Sequence, residues 1–210
     1  MRSMRPWVPL LALLWLLPVG VRAAGSTEDE GMTSEEQAEE AYRRAVRYRD
    51  EAKELEAGNQ PERAAKEYEK AARSLRAAIG FDPNLHQAHS DLGFALRKLG
   101  DYEGSLEEYE RALELSPGYP EAIEYRAEAY LGLGRLDDVR DAYMELLREN
   151  RPFADQLMTA MKRWVEERRV EPGDMDSATV EDFAQWVEER ERAASQTAEL
   201  GGDGPAASGW

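Results

Sequence analysis

The sequence predicts an all-α fold built from antiparallel helix-pair repeats. Two consecutive blocks of equal length, 86–119 and 120–153, are the main evidence. Aligned end to end, they match at several places: Ala88 with Ala122, Ala95 with Ala129, Leu99-Gly100 with Leu133-Gly134, Tyr109 with Tyr143, and Leu113 with Leu147. A fixed period of this length indicates one supersecondary unit used repeatedly, because a single unit cannot bury its apolar face alone.

Each block is predicted to form two helices joined by a tight turn. In the first block the apolar residues before Gly100 recur every three or four positions, which is the spacing of an amphipathic helix. Gly100 is suited to end that helix, and Asp101 is suited to cap the next one. Pro117 stops the second helix, because it has no N–H to donate. We expect Gly93 and Ser105 to lie where the two helices approach closely, since bulk there would hold the axes apart.

These residues resemble the tetratricopeptide repeat. The matching positions are Leu92-Gly93, Leu96, Gly100-Asp101-Tyr102, Ser105, Tyr109, Ala112 and Pro117. The resemblance implies a short right-handed solenoid of about three repeats with C-terminal capping helices, in which the first helix of each pair lines a concave groove. The second block departs from the family pattern, with Arg126-Ala127 in place of Leu-Gly and Arg151 in place of Pro. We therefore expect the second block to be the last repeat and to meet a capping helix.

The first 23 residues have the features of a secretory signal peptide. Arg2 and Arg5 precede an uncharged, Leu-rich run at 7–21, and Val21 and Ala23 are the small residues expected before a cleavage site. The run is short and contains two Pro, so a membrane-spanning helix fits it less well. We predict cleavage after Ala23, giving a periplasmic or secreted protein of the exported bacterial type with no stable membrane insertion afterwards.

The rest of the chain divides into five further segments. These are an acidic linker at 24–34; a repeat domain at 35–153, made of an atypical repeat at 35–85 and the two blocks; a capping helix at 154–170; a second C-terminal helix region at 171–196; and a disordered tail at 197–210. Thr33 and Glu36 fit a capping box at the start of the first helix. The Gly-to-Pro distance in the first pair predicts a second helix about two turns longer than in the later blocks.

Composition argues against catalysis and against nucleic-acid binding. The chain has two His, no Cys and 43 acidic residues, with a formal net charge of −16. It lacks a phosphate-binding Gly loop, an HExxH motif and a Ser nucleophile elbow, so we interpret it as a non-enzyme without a cofactor. Residues 1–23 carry three Arg and no acid, so their removal lowers the net charge to −19. Such a surface would repel a phosphate backbone.

His86 and His89 keep a metal site open as an alternative. Three positions apart on a helix, two neutral imidazoles could share a face and bind a transition metal. Asp82 or Asp91 could complete such a site. We favour the other interpretation, in which His89 is a core ring, because the family usually buries a large aromatic at this position.

The same resemblance supplies the candidate binding residues, which lie on the first helix of each block. They are Gln87, Ser90, Asp91, Phe94, Arg97 and Lys98 from the first block, and Glu121, Glu124, Tyr125 and Glu128 from the second. The Arg and Lys residues that hold a peptide's terminal carboxylate in some chaperone-binding members are not reproduced. The groove is therefore predicted to be acidic at one end, which favours an extended basic or apolar peptide, with Phe94 and Tyr125 as anchors. The alternative is that these are ordinary solvated helix residues.

The sequence thus predicts a non-catalytic scaffold or assembly factor of the cell envelope that binds a protein or peptide in a concave groove. Two alternatives remain at this stage. One is a metal-binding envelope protein that uses His86 and His89. The other is a structural protein that self-associates through the helices of Trp164 and Trp186.

Overall fold

A computed structural model describes residues 31–202 of the chain, with side chains through Gln196. Within this range the chain forms eight α-helices and no strand: α1 (Ser34–Ala57), α2 (Pro61–Phe81), α3 (His86–Lys98), α4 (Tyr102–Leu115), α5 (Pro120–Leu133), α6 (Leu136–Glu149), α7 (Arg151–Val170) and α8 (Ser177–Gly202). Successive helices are joined by short connections and pack against each other as pairs. The predicted all-α fold of stacked antiparallel helix pairs is confirmed. The signal peptide predicted at 1–23 and most of the linker at 24–34 lie outside the described residues.

The helix ends follow from local sequence. Thr33 and Glu36 form the predicted capping box, in which Glu36 N–H donates to Thr33 Oγ1 at 3.2 Å and Thr33 N–H donates to Glu36 Oε2 at 2.8 Å. Asp101 caps α4 by accepting a hydrogen bond from the backbone N–H three residues on, at 3.0 Å. Gly100 and Gly134 follow α3 and α5 with φ of 85° and 69°. Glycine enters this left-handed region without a Cβ clash, so both helices can stop there.

Small residues sit where helices approach most closely. A Cβ added to Gly93 of α3 would lie 2.6 Å from a ring carbon of Tyr109 on α4, and Tyr109 is fully buried. Gly132 of α5 meets the ring of Tyr102 in the same way. Ser105 is also fully buried, and its hydroxyl donates to the backbone oxygen of Tyr102 at 2.6 Å. The close approach predicted at Gly93 and Ser105 is confirmed.

The first pair is longer than the later ones. Helix α2 has 21 residues, whereas α4 and α6 have 14 each. The difference corresponds to about two helical turns, as the sequence predicts. Helix α1 is longer still, with 24 residues against 13 for α3, and its side chains reach Asp91, Phe94 and Lys98 of α3.

Helices α7 and α8 cover the end of the repeat array. Helix α7 packs against α5 and α6, just as α5 packs against α3 and α4. It therefore occupies the place that the first helix of a further pair would take. Trp164 of α7 fixes this position by donating from Nε1 to the backbone oxygen of Leu131 at 2.8 Å. Helix α8 covers α7 with buried side chains that include Phe183 and Val187.

Helix α8 ends later in the chain than the sequence analysis predicts. It extends to Gly202, so helix continues past residue 197, where the sequence analysis places the start of a disordered tail. Residues 203–210 lie outside the described residues. Among the helices that the structure describes, none is long and apolar enough to cross a membrane.

The two tryptophans of the C-terminal helices pack against neighbouring aromatic rings. Trp164 is 6% exposed, and its ring lies 5.5 Å from that of Phe183. Trp186 is half-buried, with its ring 5.7 Å from that of Tyr143 and 6.0 Å from that of Phe183. The burial of Trp164 removes its ring as a contact for self-association, whereas the helices that carry the two tryptophans remain a prediction as a contact surface.

Candidate binding groove

The first helices of the pairs and α7 line one groove of about 390 Å³. Its walls consist of Lys53 and Glu56 of α1, Phe94, Arg97 and Lys98 of α3, Glu124, Tyr125 and Glu128 of α5, and Gln156, Thr159, Ala160 and Arg163 of α7. Six of the ten residues predicted from the sequence are among them. The residues that the sequence analysis missed come from α1 and α7. The position of α7 as the next first helix is the signal that could have revealed its contribution.

Four predicted residues lie outside this groove, and Asp91 among them has a structural role. It is 8% exposed and accepts hydrogen bonds from Arg49 Nη1 at 2.7 and 2.8 Å and from Tyr42 Oη at 2.9 Å. These contacts tie α1 to α3, so the Asp91 carboxylate is already used. The other three residues lie nearer the starts of their helices: Gln87, Ser90 and Glu121.

Phe94 belongs to the core as much as to the groove. Its side chain is 6% exposed, and its ring centroid lies 5.9 Å from that of Tyr68 and 5.0 Å from that of Tyr125. Lys53 Nζ lies 4.8 Å from the same ring on the groove side. The expectation that Phe94 is an open anchor is therefore corrected, because α1 covers it. Tyr125, which is half-buried, is the aromatic ring that remains accessible.

Ion pairs connect neighbouring walls of the groove. Lys98 Nζ lies 2.8 Å from Glu56 Oε1 and joins α3 to α1. Arg97 pairs with Glu128 and joins α3 to α5. Arg97, Glu128 and Lys98 are partly buried, so their positions are set by the packing of the helices, whereas Glu56 is exposed.

Glu124 lies deepest among the acids of the groove. It is 3% exposed, and its Oε2 has no hydrogen-bond partner within the described part of the chain. Burial raises the pKa of Glu124 to about 8, with the neighbouring carboxylate of Glu128 acting in the same direction and the Arg97 guanidinium opposing both. At neutral pH the Glu124 side chain is therefore mostly a neutral carboxylic acid.

The charge of the groove differs from the sequence-based expectation. Four cations line it against three carboxylates, and one of those carboxylates belongs to the mostly neutral Glu124. The expectation of an acidic groove considered the acids of one helix and two cations. The other two cations come from helices outside the two blocks. The four are Lys53, Arg97, Lys98 and Arg163.

The two histidines have structural surroundings. His89 is buried, with Nδ1 at 2.7 Å from Glu108 Oε2 and Nε2 at 3.1 Å from the backbone oxygen of Pro83. Both of its ring nitrogens are therefore engaged. The ring of His86 packs edge-on against Tyr119, with centroids 4.9 Å apart. Among the residues that the structure describes, no group of three or more His, Asp or Glu could hold a metal ion.

A family model and a relative each match part of the chain. Residues 95–134 match the family model described as TPR repeat. Over 111 residues the chain is 31% identical to the heat shock protein sti1 homolog of Schizosaccharomyces pombe (strain 972 / ATCC 24843). This match covers 53% of the present chain but 19% of that relative.

Solved tetratricopeptide domains are similar in outline. The first TPR of Spaghetti (RPAP3), bound to the HSP90 peptide SRMEEVD, has a TM-score of 0.44 and 14% identity, covering 58% of this chain and 94% of that one. The Sgt2 TPR domain from Aspergillus fumigatus has a TM-score of 0.40 and 17% identity, covering 79% of this chain and 88% of that one. The second TPR domain of human RPAP3, in complex with the HSP70 peptide SGPTIEEVD, has a TM-score of 0.39 and 22% identity, covering 59% and 97%.

The repeating blocks, the paired helices and the shared groove define a helical-repeat protein. Residues 95–134 of this array match the tetratricopeptide repeat, in agreement with the Gly, Asp and Pro positions of the first aligned block.

Proposed function

We propose that this chain is a non-catalytic interaction scaffold that binds an extended, acidic peptide segment in the groove between α1, α3, α5 and α7. The observation that carries the proposal is the excess of cations over ionised carboxylates on the groove walls. Complementary charge steers a partner to a surface and selects among partners. An acidic segment fits this surface better than the basic segment expected from the sequence alone.

The arrangement of the walls also supports an extended ligand. The groove is an open surface to which four separate helices contribute, so a segment lying along it would touch several repeats. The ion pairs between Lys98 and Glu56 and between Arg97 and Glu128 hold the walls before any ligand arrives. A preformed surface loses less conformational entropy on binding. Tyr125 offers an apolar contact beside the charges.

Direct binding of a defined peptide tests the proposal. The peptide SRMEEVD carries three acidic side chains and a terminal carboxylate, and a tetramethylrhodamine label allows binding to be followed by fluorescence anisotropy. We expect it to bind, with an affinity that falls as salt is added, because salt screens exposed charges. The matched peptide SRMKKVK with an amidated end should bind much more weakly. Stronger binding of this basic peptide would contradict the proposed charge preference.

Two matched variants then test the location. Arg163 lies in the groove and Arg73 lies on α2 outside it, and each is an exposed residue 3.9 Å from a Glu one turn away on its own helix. Arg163→Gln should weaken binding of the acidic peptide by about threefold or more, which corresponds to roughly 0.7 kcal/mol. Arg73→Gln, which makes the same change of charge, should leave it unchanged. Equal effects of the two variants would show that the groove is not the site.

We further propose that the scaffold works outside the cytoplasm, in the cell envelope. The support is the basic start, the short apolar run and the small residues before Ala24 in the sequence. Identification of the first residue of the native protein tests this part separately from peptide binding.

A further inference from the structure

The carboxyl group of Glu124 lies at the floor of the groove and takes part in neither of the ion pairs that join the groove walls. Glu124 lies on α5 one turn before Glu128, which is the partner of Arg97. It is 3% exposed, lines the groove, and has no hydrogen-bond partner for Oε2 among residues 31–196. A buried polar atom without a partner is costly unless the group is neutral or a ligand completes it.

We propose that Glu124 is a specificity-determining residue of the groove, which admits an acidic segment as a neutral carboxylic acid and repels it as a carboxylate. In its neutral form the side chain also has an O–H, which can donate to the neighbouring Glu128 or to a carboxylate of the ligand. The proposal rests on the proposed function, since it takes the acidic segment as the ligand.

The charges around Glu124 explain why its protonation state affects the binding of an acidic ligand. Helix α1 contributes Lys53 and Glu56, α3 contributes Arg97 and Lys98, α5 contributes Glu128, α7 contributes Arg163, and α4 contributes the buried Tyr109 beneath Arg97. With Glu124 neutral, Glu56 and Glu128 are each paired with a cation of α3. That leaves Lys53, and Arg163 with its long, exposed contact to Glu167, to attract an anionic ligand. Ionisation of Glu124 adds a third carboxylate close to where that ligand would lie.

The direction of the pH effect follows from the pKa of this group. Burial and the nearby Glu128 raise the pKa of Glu124 to about 8, so the neutral form dominates below that pH. Binding of the acidic peptide is therefore expected to be strong below pH 8 and to weaken as the pH rises through this value. Because a bound anion raises the pKa further, binding above pH 8 should be accompanied by uptake of a proton.

The experiment measures the affinity for labelled SRMEEVD by anisotropy between pH 6 and 9.5. The label blocks the peptide's amino terminus, and its remaining groups do not titrate in this range. The wild-type protein should lose affinity by about fivefold between pH 7 and 9.5, a change that corresponds to roughly 1 kcal/mol. Glu124→Gln keeps the shape of the protonated acid but cannot ionise, so it should bind tightly across the whole range.

Two control variants separate the titration of Glu124 from that of neighbouring groups. Burial and the neighbouring Arg49 lower the pKa of Lys53, so loss of its charge at high pH could also weaken binding. Lys53→Arg keeps a positive charge throughout and should retain the wild-type pH profile. Glu121→Gln, one turn earlier on α5 and outside the groove, is the same substitution as Glu124→Gln and should also retain the wild-type pH profile.

A second readout does not need the peptide. Because the folded-state pKa of Glu124 lies above its ordinary value of 4.5, the unfolded chain releases this proton first as the pH rises. This group therefore lowers the stability of the fold progressively between pH 4.5 and about 8, and Glu124→Gln should lack that part of the pH dependence of the urea midpoint.

The possible outcomes separate this inference from the proposed function. If wild type and Glu124→Gln bind the peptide with the same pH profile, the groove remains the site and the role of Glu124 is refuted. If neither protein binds at any pH, the proposed function fails and the inference fails with it. A urea-midpoint difference between the two proteins that does not change with pH would refute the raised pKa even if the peptide binds.

Discussion

Replacing Gly93 by Ala tests the close approach of α3 and α4 on which the repeat assignment depends. A Cβ at this position would lie 2.6 to 2.9 Å from three carbons of the Tyr109 ring. Tyr109 is fully buried, so its ring cannot swing into solvent to make room. Overpacking of this kind costs about 1–3 kcal/mol. The gain in helix propensity offsets about 0.5–1 kcal/mol of that cost, so we expect a net loss of roughly 1 kcal/mol.

Gly80 provides the matched control for this variant. It lies near the end of α2, is exposed, and has no atom within 4 Å of an added Cβ. Gly80→Ala should therefore raise stability by up to about 0.5–1 kcal/mol, because only the helix propensity changes. The difference between the two variants isolates the steric contribution, which we expect to be about 1–3 kcal/mol.

Urea denaturation followed by circular dichroism measures both changes. The comparison is sound where the dependence of stability on urea is the same for both variants, since a changed slope signals a changed unfolding mechanism. If Gly93→Ala proves as stable as Gly80→Ala, then α3 and α4 are not in the close contact described, and the reasoning from the Leu92-Gly93 position fails.

Three further predictions concern the core, the cap and the N-terminus. His89→Phe should lower the free energy of unfolding by about 1–2 kcal/mol, because a phenyl ring cannot hydrogen-bond to Glu108, and a thermal melt measures this. Trp164→Phe should destabilise the cap by about 1–3 kcal/mol, because it removes the buried hydrogen bond from Trp164 Nε1 and leaves the backbone oxygen of Leu131 with Gly134 N–H as its donor, and a urea titration measures this. Mass spectrometry of the native protein should show Ala24 as its first residue.

Each of these predictions has a contradicting result. An unchanged or higher melting temperature for His89→Phe would mean that its two polar contacts contribute nothing to stability. Trp186→Phe is the control for the cap, since the Trp186 ring is held by its contacts with Tyr143 and Phe183, and it should cost less than Trp164→Phe. A native protein that retains Met1 would refute export by a cleaved signal.

The elements predicted correctly are those that depend on neighbours in the sequence. The capping box of Thr33 and Glu36 involves residues three apart, and the turn at Gly100 depends on one backbone conformation. The period also predicts the pairing of helices, because Gly93 and Tyr109 lie within one block and Tyr109 recurs as Tyr143 in the next. Such features need no knowledge of the distant chain.

The charge of the groove could not be predicted in this way. Lys53 and Arg163 lie 110 residues apart in sequence, and they meet because α1 and α7 flank the two aligned blocks. The long α1 does not follow the 34-residue register, so the residues it places opposite α3 cannot be read from the period. The same long helix covers Phe94, which the sequence analysis expected to be open.

A comparison of the two blocks shows why the fold was easier to predict than the partner. Several positions that pack inside carry the same residue in both blocks, as Tyr109 and Tyr143 do, and both of these are buried. The positions that line the groove in either block differ between them: Ser90 against Glu124, Asp91 against Tyr125, Phe94 against Glu128, Arg97 against Leu131, and Lys98 against Gly132. Stacking requires the first set to recur, whereas a ligand that is not itself repetitive requires the second set to vary. The residues that line the groove therefore occupy positions that the 34-residue period does not predict. The charge of the groove can be read only after the helices have been packed together.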